Sequence, residues 1–353
     1  MRKFDIDTPA LVLDLDLVED NIAVMGAYFR SRPQKLRPHF KTPKTPEIAR
    51  RQLAAGAIGI TAAKLGEAEV LARAGLGPIL IANQIAGAAK VDRLFAIAAR
   101  VGTIATVESE FNIQELERGC VRAGQAIDVI IEVDTGMHRC GTDSPGETVG
   151  LAKRIARGPL NYRGVMGYEG HAVLLPDREK RETTAREALT SLSRHVEALR
   201  SAGLPPAIVS AGGTGTYDIA GSWPDVTEVQ AGSYVFMDGA YRRVRPDLGR
   251  SALTLLTTVI SRRGDRVIVD AGMKSLTNEF GPPVGKTLPI KVARLSEEHG
   301  HLAAGDLEIA PGTKIEVVPS HGDTTINLHN EYYVVRGDEV VAIWPIEGAR
   351  AYR

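Results

Sequence analysis

A chain of 353 residues, 44% hydrophobic and 24% charged, has room for one large domain and a smaller one at ordinary globular composition. Its 43 basic and 43 acidic side chains cancel to zero net charge, with no basic stripe for nucleic acid and no polybasic tail for a membrane surface. The start, Met1-Arg2-Lys3-Phe4-Asp5-Ile6-Asp7, turns acidic where a signal peptide needs an apolar run, and no apolar run is long enough to span a bilayer. The two cysteines, Cys120 and Cys140, lack Cys-x-x-Cys spacing and read as reduced thiols of a cytoplasmic protein.

Thr8–Leu13 is a strand candidate that could join either domain. Residues 16–29 follow with Val18, Ile22, Met25 and Phe29 at helical spacing, and Asp16 with Glu19 resembles a capping box. Short apolar runs then alternate with helical stretches. The runs are Leu36–Phe40, Ile58–Ala62, Pro78–Ala82, Ile104–Val107, Asp128–Val133, Tyr162–Tyr168, Ala207–Ala211 and Val226–Val229. The longest intervening helix, 178–202, carries Leu189, Leu192, Val196 and Leu199 on one face. Alternating strand and helix implies a parallel sheet with right-handed crossovers. Eight such units suit a closed TIM-like (β/α)8 barrel, an α/β fold, better than an open sheet. From about Ser251 the helical period disappears, and Leu253–Ile260, Arg266–Ala271, Ile290–Leu295, Lys314–Val318, Glu331–Arg336 and Glu339–Trp344 read as strands of a C-terminal all-β domain. The expected division is a barrel over 13–245 and a β domain over 246–353, which 1–12 could join.

In a barrel, function gathers where strands end and the following loops begin. The first run, in Arg37-Pro38-His39-Phe40-Lys41-Thr42-Pro43-Lys44, ends on Lys41, placed to be a desolvated amine that forms a Schiff base with a carbonyl. An ordinary basic loop would carry the same residue types. The fifth run leads into Asp134-Thr135-Gly136-Met137-His138-Arg139-Cys140-Gly141, and the sixth ends Gly167-Tyr168-Glu169-Gly170-His171. The seventh leads into Gly212-Gly213-Thr214-Gly215-Thr216 and the eighth into Gln230-Ala231-Gly232-Ser233-Tyr234. Glycine-rich turns after strands seven and eight suit a phosphate, because backbone without Cβ atoms approaches an anion closely. A reactive lysine and a phosphate cradle on one face are what pyridoxal phosphate needs.

With these motifs in this order over nearly the whole length, the chain resembles the alanine-racemase-type pyridoxal-phosphate fold, and within it the D-threonine aldolase and D-serine dehydratase group. Pro319-Ser320-His321-Gly322-Asp323-Thr324-Thr325 in the β domain carries the resemblance as well. It implies Lys41 as the lysine bonded to the cofactor and Arg139 facing the cofactor's phenolic oxygen. Gly213, Thr214, Gly232, Ser233 and Tyr234 would hold the phosphate, with Tyr168 near the ring. Racemases place an arginine against the pyridine nitrogen, where this chain has Gln230, and their second catalytic base, a tyrosine of the β domain, has no evident counterpart. Simple racemisation is therefore disfavoured. The resemblance also implies a homodimer acting on a small amino-acid substrate.

If residues 319–325 are extended, His321 and Asp323 share a face and can hold a divalent cation with positions open for water or substrate. A carboxylate beside the imidazole admits Mn²⁺ or Mg²⁺ as well as Zn²⁺. The expected activity is metal-assisted cleavage of D-β-hydroxy-α-amino acids to glycine and an aldehyde, with His171 or a metal-bound water taking the β-hydroxyl proton. The same residues would serve a dehydratase acting on D-serine or D-3-hydroxyaspartate. A non-catalytic pyridoxal-phosphate carrier is the reading of another class, and the β domain argues against it.

Overall fold

A computed structural model describes all 353 residues. They form two compact units, one of residues 26–41, 48–232 and 351–353, the other of residues 1–25, 42–47 and 233–350.

The first unit is the expected barrel. Its parallel strands are Lys35–Leu36, Ile60–Ala62, Ile79–Gln84, Thr103–Val107, Asp128–Glu132, Asn161–Met166, Ile208–Ala211 and Glu228–Val229. They neighbour one another in chain order, and the first lies beside the last. The remaining seam is closed by the chain after Leu36. The N–H of Phe40 donates to Thr61 O at 2.7 Å and that of Thr61 to Pro38 O at 2.9 Å. Strands covered on both faces must be apolar throughout, as Ile79, Leu80 and Ile81 are, and Leu80, Ile104, Ile130 and Met166 cluster as one buried layer. The helices Leu65–Arg73, Ala88–Ala98, Glu110–Ala123, Pro145–Ile155 and Arg178–Ser201 alternate with the strands. The long last one buries Leu189, Leu192, Val196 and Leu199, the stripe that the 3.6-residue period requires. Their starts are written locally. Ser109 and Ser144 cap by accepting from the N–H groups of Asn112 and Glu147, as such hydroxyls do at helix N-termini.

One expected cap is absent. The helix Leu15–Arg30 begins a residue early, and its cap is Asp14, whose Oδ1 accepts from Leu17 N at 3.2 Å. Asp16 and Glu19 both pair with Arg336 instead.

The second unit is a nine-stranded, mainly antiparallel sheet. Its centre is Leu253–Arg263, flanked by Lys314–Val318 and by Ala10–Asp14, which runs antiparallel to it. The N-terminal strand thus joins the β unit, and it also pairs in parallel with Glu331–Arg336. Two short strands, Val284–Gly285 and Gly300–Ala303, have too little apolar run to be read from sequence. The units part at Gly232 and Ser233, not at the expected 245/246. The reason is local pairing: Gly239 N and Ala240 N donate to Pro319 O and Ser320 O, both at 2.9 Å, which ties the helix Gly239–Val244 to the β unit. No helix of the chain is long and apolar enough to cross a membrane.

Inside the barrel, Arg37 and Glu228 form a buried two-point ion pair, Nε to Oε1 at 2.9 Å and Nη2 to Oε2 at 2.8 Å. Both side chains are under 5% exposed. Glu228→Ala leaves an uncompensated buried guanidinium, so chemical denaturation should show a loss of about 3–5 kcal/mol. Wild-type stability in that variant would mean that water reaches Arg37.

Candidate active site

The strand ends expected to carry chemistry belong to the barrel unit, except Ser233 and Tyr234. Lys41 follows the extended segment that closes the ring, half-buried, with its backbone N–H 3.3 Å from His39 Nδ1. His39 N in turn donates to Ala231 O, so the lysine segment runs beside the residues leading to Gly232. The neighbouring candidate, Lys44, belongs to the β unit. It is buried in a left-handed conformation with φ 49°, its Nζ donates to Gly348 O at 3.3 Å, and its own carbonyl accepts from Gly348 N. Lys44 is a structural tether.

The loop after the fifth strand is wound around Asp134. Its Oδ1 accepts from the backbone N–H groups of Gly136, Met137 and His138 at 2.8, 2.9 and 3.1 Å. Burial works against the charge, but these N–H donors and His138 hold the carboxyl below the usual aspartate range. Gly141 has φ 110° and a Cβ there would lie 2.4 Å from Asp134 N, so only glycine fits. Arg139 is presented between them, half-exposed, with Nη2 3.7 Å from Glu132 Oε1. Glu132, at the end of the fifth strand, is buried and its carboxyl is pushed up by that burial, with Gln84 and Arg139 acting against the rise.

Tyr168 stands between two glycine turns. A Cβ on Gly213 would lie 3.2 Å from the Tyr168 ring, and one on Gly170 would lie 2.6 Å from it. Thr135 Oγ1 donates to the Tyr168 carbonyl at 3.0 Å. His171 is exposed, and its ring lies against Gly136, where a Cβ would come within 3.3 Å. Tyr168, His171 and the Arg139 loop therefore share one end of the barrel. Gln230 sits there too, its Nε2 donating to Ser210 Oγ at 2.8 Å.

The turn Gly212–Thr216 is organised by a residue the sequence reading quoted without assigning a role. Glu169 is wholly buried. Its Oε2 accepts from Gly212 N at 3.2 Å and its Oε1 from Thr216 Oγ1 at 2.6 Å, while Gly213 N donates to Thr216 Oγ1 at 3.2 Å. Burial pushes this carboxyl up, and those hydrogen bonds oppose it. Thr214 is buried within the turn. In the β unit, Ser233 and Tyr234 are buried at the start of a short 3₁₀ turn, and the Ser233 and Thr42 hydroxyls lie 3.4 Å apart.

The barrel residues fit pyridoxal phosphate. They include an amine on Lys41, a cation on Arg139, an amide on Gln230 and an aromatic ring on Tyr168 packed against a glycine turn. A Cβ at Gly213 would fill the space beside that ring.

The β-unit motif differs from its expected form. His321 and Asp323 do not lie on a strand. Gly322–Ile326 is a short helix with His321 at its N-cap and Asp323 in its first turn. Strand alternation therefore does not explain their pairing. They are still coupled through space. Burial disfavours a charged His321, but Asp238, Asp323 and Glu279 outweigh it and raise its pKa above the ordinary histidine value. An imidazole among carboxylates is a donor set that suits a divalent cation. No group of three or more His, Cys, Asp or Glu side chains is arranged to hold a metal, so protein donors alone would leave its coordination open.

Residues 13–239 match the family model of the alanine racemase N-terminal domain, and residues 252–335 match a putative serine dehydratase domain. The chain is 39% identical to a D-threonine aldolase of Arthrobacter sp., with 97% of this chain and 92% of that protein covered. The crystal structure of D-threonine aldolase from Filomicrobium marinum superposes with a TM-score of 0.97 at 36% identity, covering 100% of this chain and 98% of that one. A D-threo-3-hydroxyaspartate dehydratase variant with a cysteine replaced by alanine, in its metal-free form, superposes with a TM-score of 0.89 at 30% identity, 98% of both chains being covered. The chain therefore belongs to the family built on the alanine racemase N-terminal domain, in the group that holds D-threonine aldolase and D-threo-3-hydroxyaspartate dehydratase.

Proposed function

We propose that this protein is a pyridoxal-phosphate- and divalent-metal-dependent lyase that cleaves D-threonine-like β-hydroxy-α-amino acids to glycine and an aldehyde. The observation that carries this is likeness to D-threonine aldolases over nearly the whole chain, in sequence at 39% and 36% identity and in fold, together with strand ends that carry Lys41, Arg139, Tyr168 and the glycine turn. Pyridoxal phosphate, when bound, supplies an electron sink for the bond broken at Cα. Lys41 would hold its aldehyde carbon, Arg139 its phenolic oxygen and Gln230 its ring nitrogen. Gly213, Thr214, Gly232, Ser233 and Tyr234 would hold its phosphate, and Tyr168 would wall its ring. His321 and Asp323 would hold Mn²⁺ or Mg²⁺, with Zn²⁺ also compatible, as a Lewis acid for the substrate's β-oxygen. A metal-free form being distinguished for a dehydratase relative supports a metal in the group. His171, exposed beside Gly136, would take the β-hydroxyl proton. A cytoplasmic homodimer completes the reading, and light scattering on the active protein would check the dimer.

The dehydratase relative favours one alternative, elimination to a 2-oxo acid and ammonia. Product analysis separates the two. With D-threonine, D-serine and D-3-hydroxyaspartate supplied in turn, glycine and an aldehyde should form in equal amounts from the best substrate. Ammonia as the main product would overturn the aldolase assignment in favour of the dehydratase.

A further inference from the structure

One buried carboxylate beside the metal motif has no role in this scheme. Asp238 is 2% exposed. Its Oδ1 accepts from Tyr241 N at 3.0 Å, which suffices to cap the helix Gly239–Val244. Its Oδ2 does something a cap does not require: it accepts from Gly322 N at 2.8 Å and lies 3.0 Å from His321 Nδ1. The backbone just after it is fixed to the segment before His321, through Gly239 N to Pro319 O and Ala240 N to Ser320 O. Met237, just before it, is fully buried with φ 49°. A non-glycine residue held there is strained and persists only where its surroundings over-determine it. The imidazole is gripped further by the ring of Phe280, edge-on with centroids 5.0 Å apart. Its one side-chain hydrogen bond runs through Nδ1, and Nε2 makes none within the chain.

We propose that Asp238 is a positioning residue for the metal ligand His321. By accepting the Nδ1 proton it fixes the tautomer in which Nε2 carries the lone pair, aims the ring, and raises the basicity of that nitrogen. Its bond to Gly322 N holds the peptide that joins His321 to Asp323, so one carboxylate sets the spacing of both donors. This rests on the reading of His321 and Asp323 as the metal's protein ligands.

The test is a titration of the full-length, cofactor-loaded, chelator-stripped protein with Mn²⁺ alone, free Mn²⁺ being read by electron paramagnetic resonance. Asp238→Asn should weaken Mn²⁺ binding by about 10- to 100-fold, while cofactor absorbance and cooperative melting persist. An unchanged Kd in Asp238→Asn, with His321→Ala losing Mn²⁺, would overturn the role of Asp238 alone. Wild-type binding in His321→Ala would remove the metal site and this proposal with it, a distinct pattern. A second measurement needs no variant. In the wild-type metal-free protein at alkaline pH, ¹⁵N resonances of the His321 ring should show Nδ1 protonated and Nε2 bare. The opposite tautomer would overturn the proposal.

Discussion

Replacing Lys41 with alanine is expected to lower cleavage of D-threonine by about 10⁴-fold, the upper range for loss of a residue that moves a proton at the reacting atom. On the proposed assignment the amine would have two tasks, holding the cofactor and exchanging protons at Cα, and no neighbouring lysine would take them over. Lys44 is three residues away in sequence, but its Nζ is tied to Gly348 O and its backbone is fixed by Gly348 N. Lys44→Ala should therefore reduce stability and leave the cofactor bound. Borohydride treatment of the wild-type protein, followed by peptide mass spectrometry, should find the cofactor on Lys41. A label on Lys44, or on no lysine, would refute the assignment. Added methylamine, which restores an amine without its tether, should partly rescue Lys41→Ala.

Removing the metal should abolish cleavage while leaving the fold and the cofactor in place. The two donors proposed for it, His321 and Asp323, would be too few for a closed structural site, which usually has four. The β-unit sheet is also hydrogen-bonded independently of them, through Leu253–Arg263 and its neighbours. Loss of a Lewis acid at the β-oxygen should cost several kcal/mol of transition-state stabilisation, on the order of 10³-fold in rate. His321→Ala and Asp323→Ala should each reproduce the effect of chelation, with little rescue by added metal. Exchange of the Cα hydrogen of D-alanine, which has no β-hydroxyl, should continue in all three cases. Circular dichroism and D-alanine exchange measured side by side decide the matter. If chelation melts the β unit, the metal is structural; if His321→Ala cleaves D-threonine normally, the ligand lies elsewhere.

The barrel was legible because burial on both faces forces each strand to be an apolar run and each helix to show a 3.6-residue stripe. Both are local patterns. Each of the eight expected runs overlaps one observed strand, although the first, Leu36–Phe40, is a strand by backbone pairing only at Lys35–Leu36 and an extended, ring-closing segment beyond it. Lys41, Arg139, Tyr168 and the glycine turns were candidates because they follow strand ends, where barrels place side chains for chemistry.

The alternation of elements, the change to an all-β unit and the residues at the strand ends are thus readable from the chain alone. Contacts between distant segments set the rest, and the folded chain makes several of them. It separated Lys41 from Lys44 through a contact with Gly348. It made His321 a helix N-cap where an extended segment would have set it beside Asp323, and it gave the cap of the first helix to Asp14 while Asp16 and Glu19 went to Arg336. It also brought Glu169 to Gly212, 43 residues away, and Asp238 to His321, 83 residues away. The physical reason is the same in each case. Periodicity and capping report interactions within a turn or two of the chain, whereas these hydrogen bonds and ion pairs form between segments that only the folded backbone brings together. A buried Glu or Asp has no local pattern to mark which distant donor it will meet.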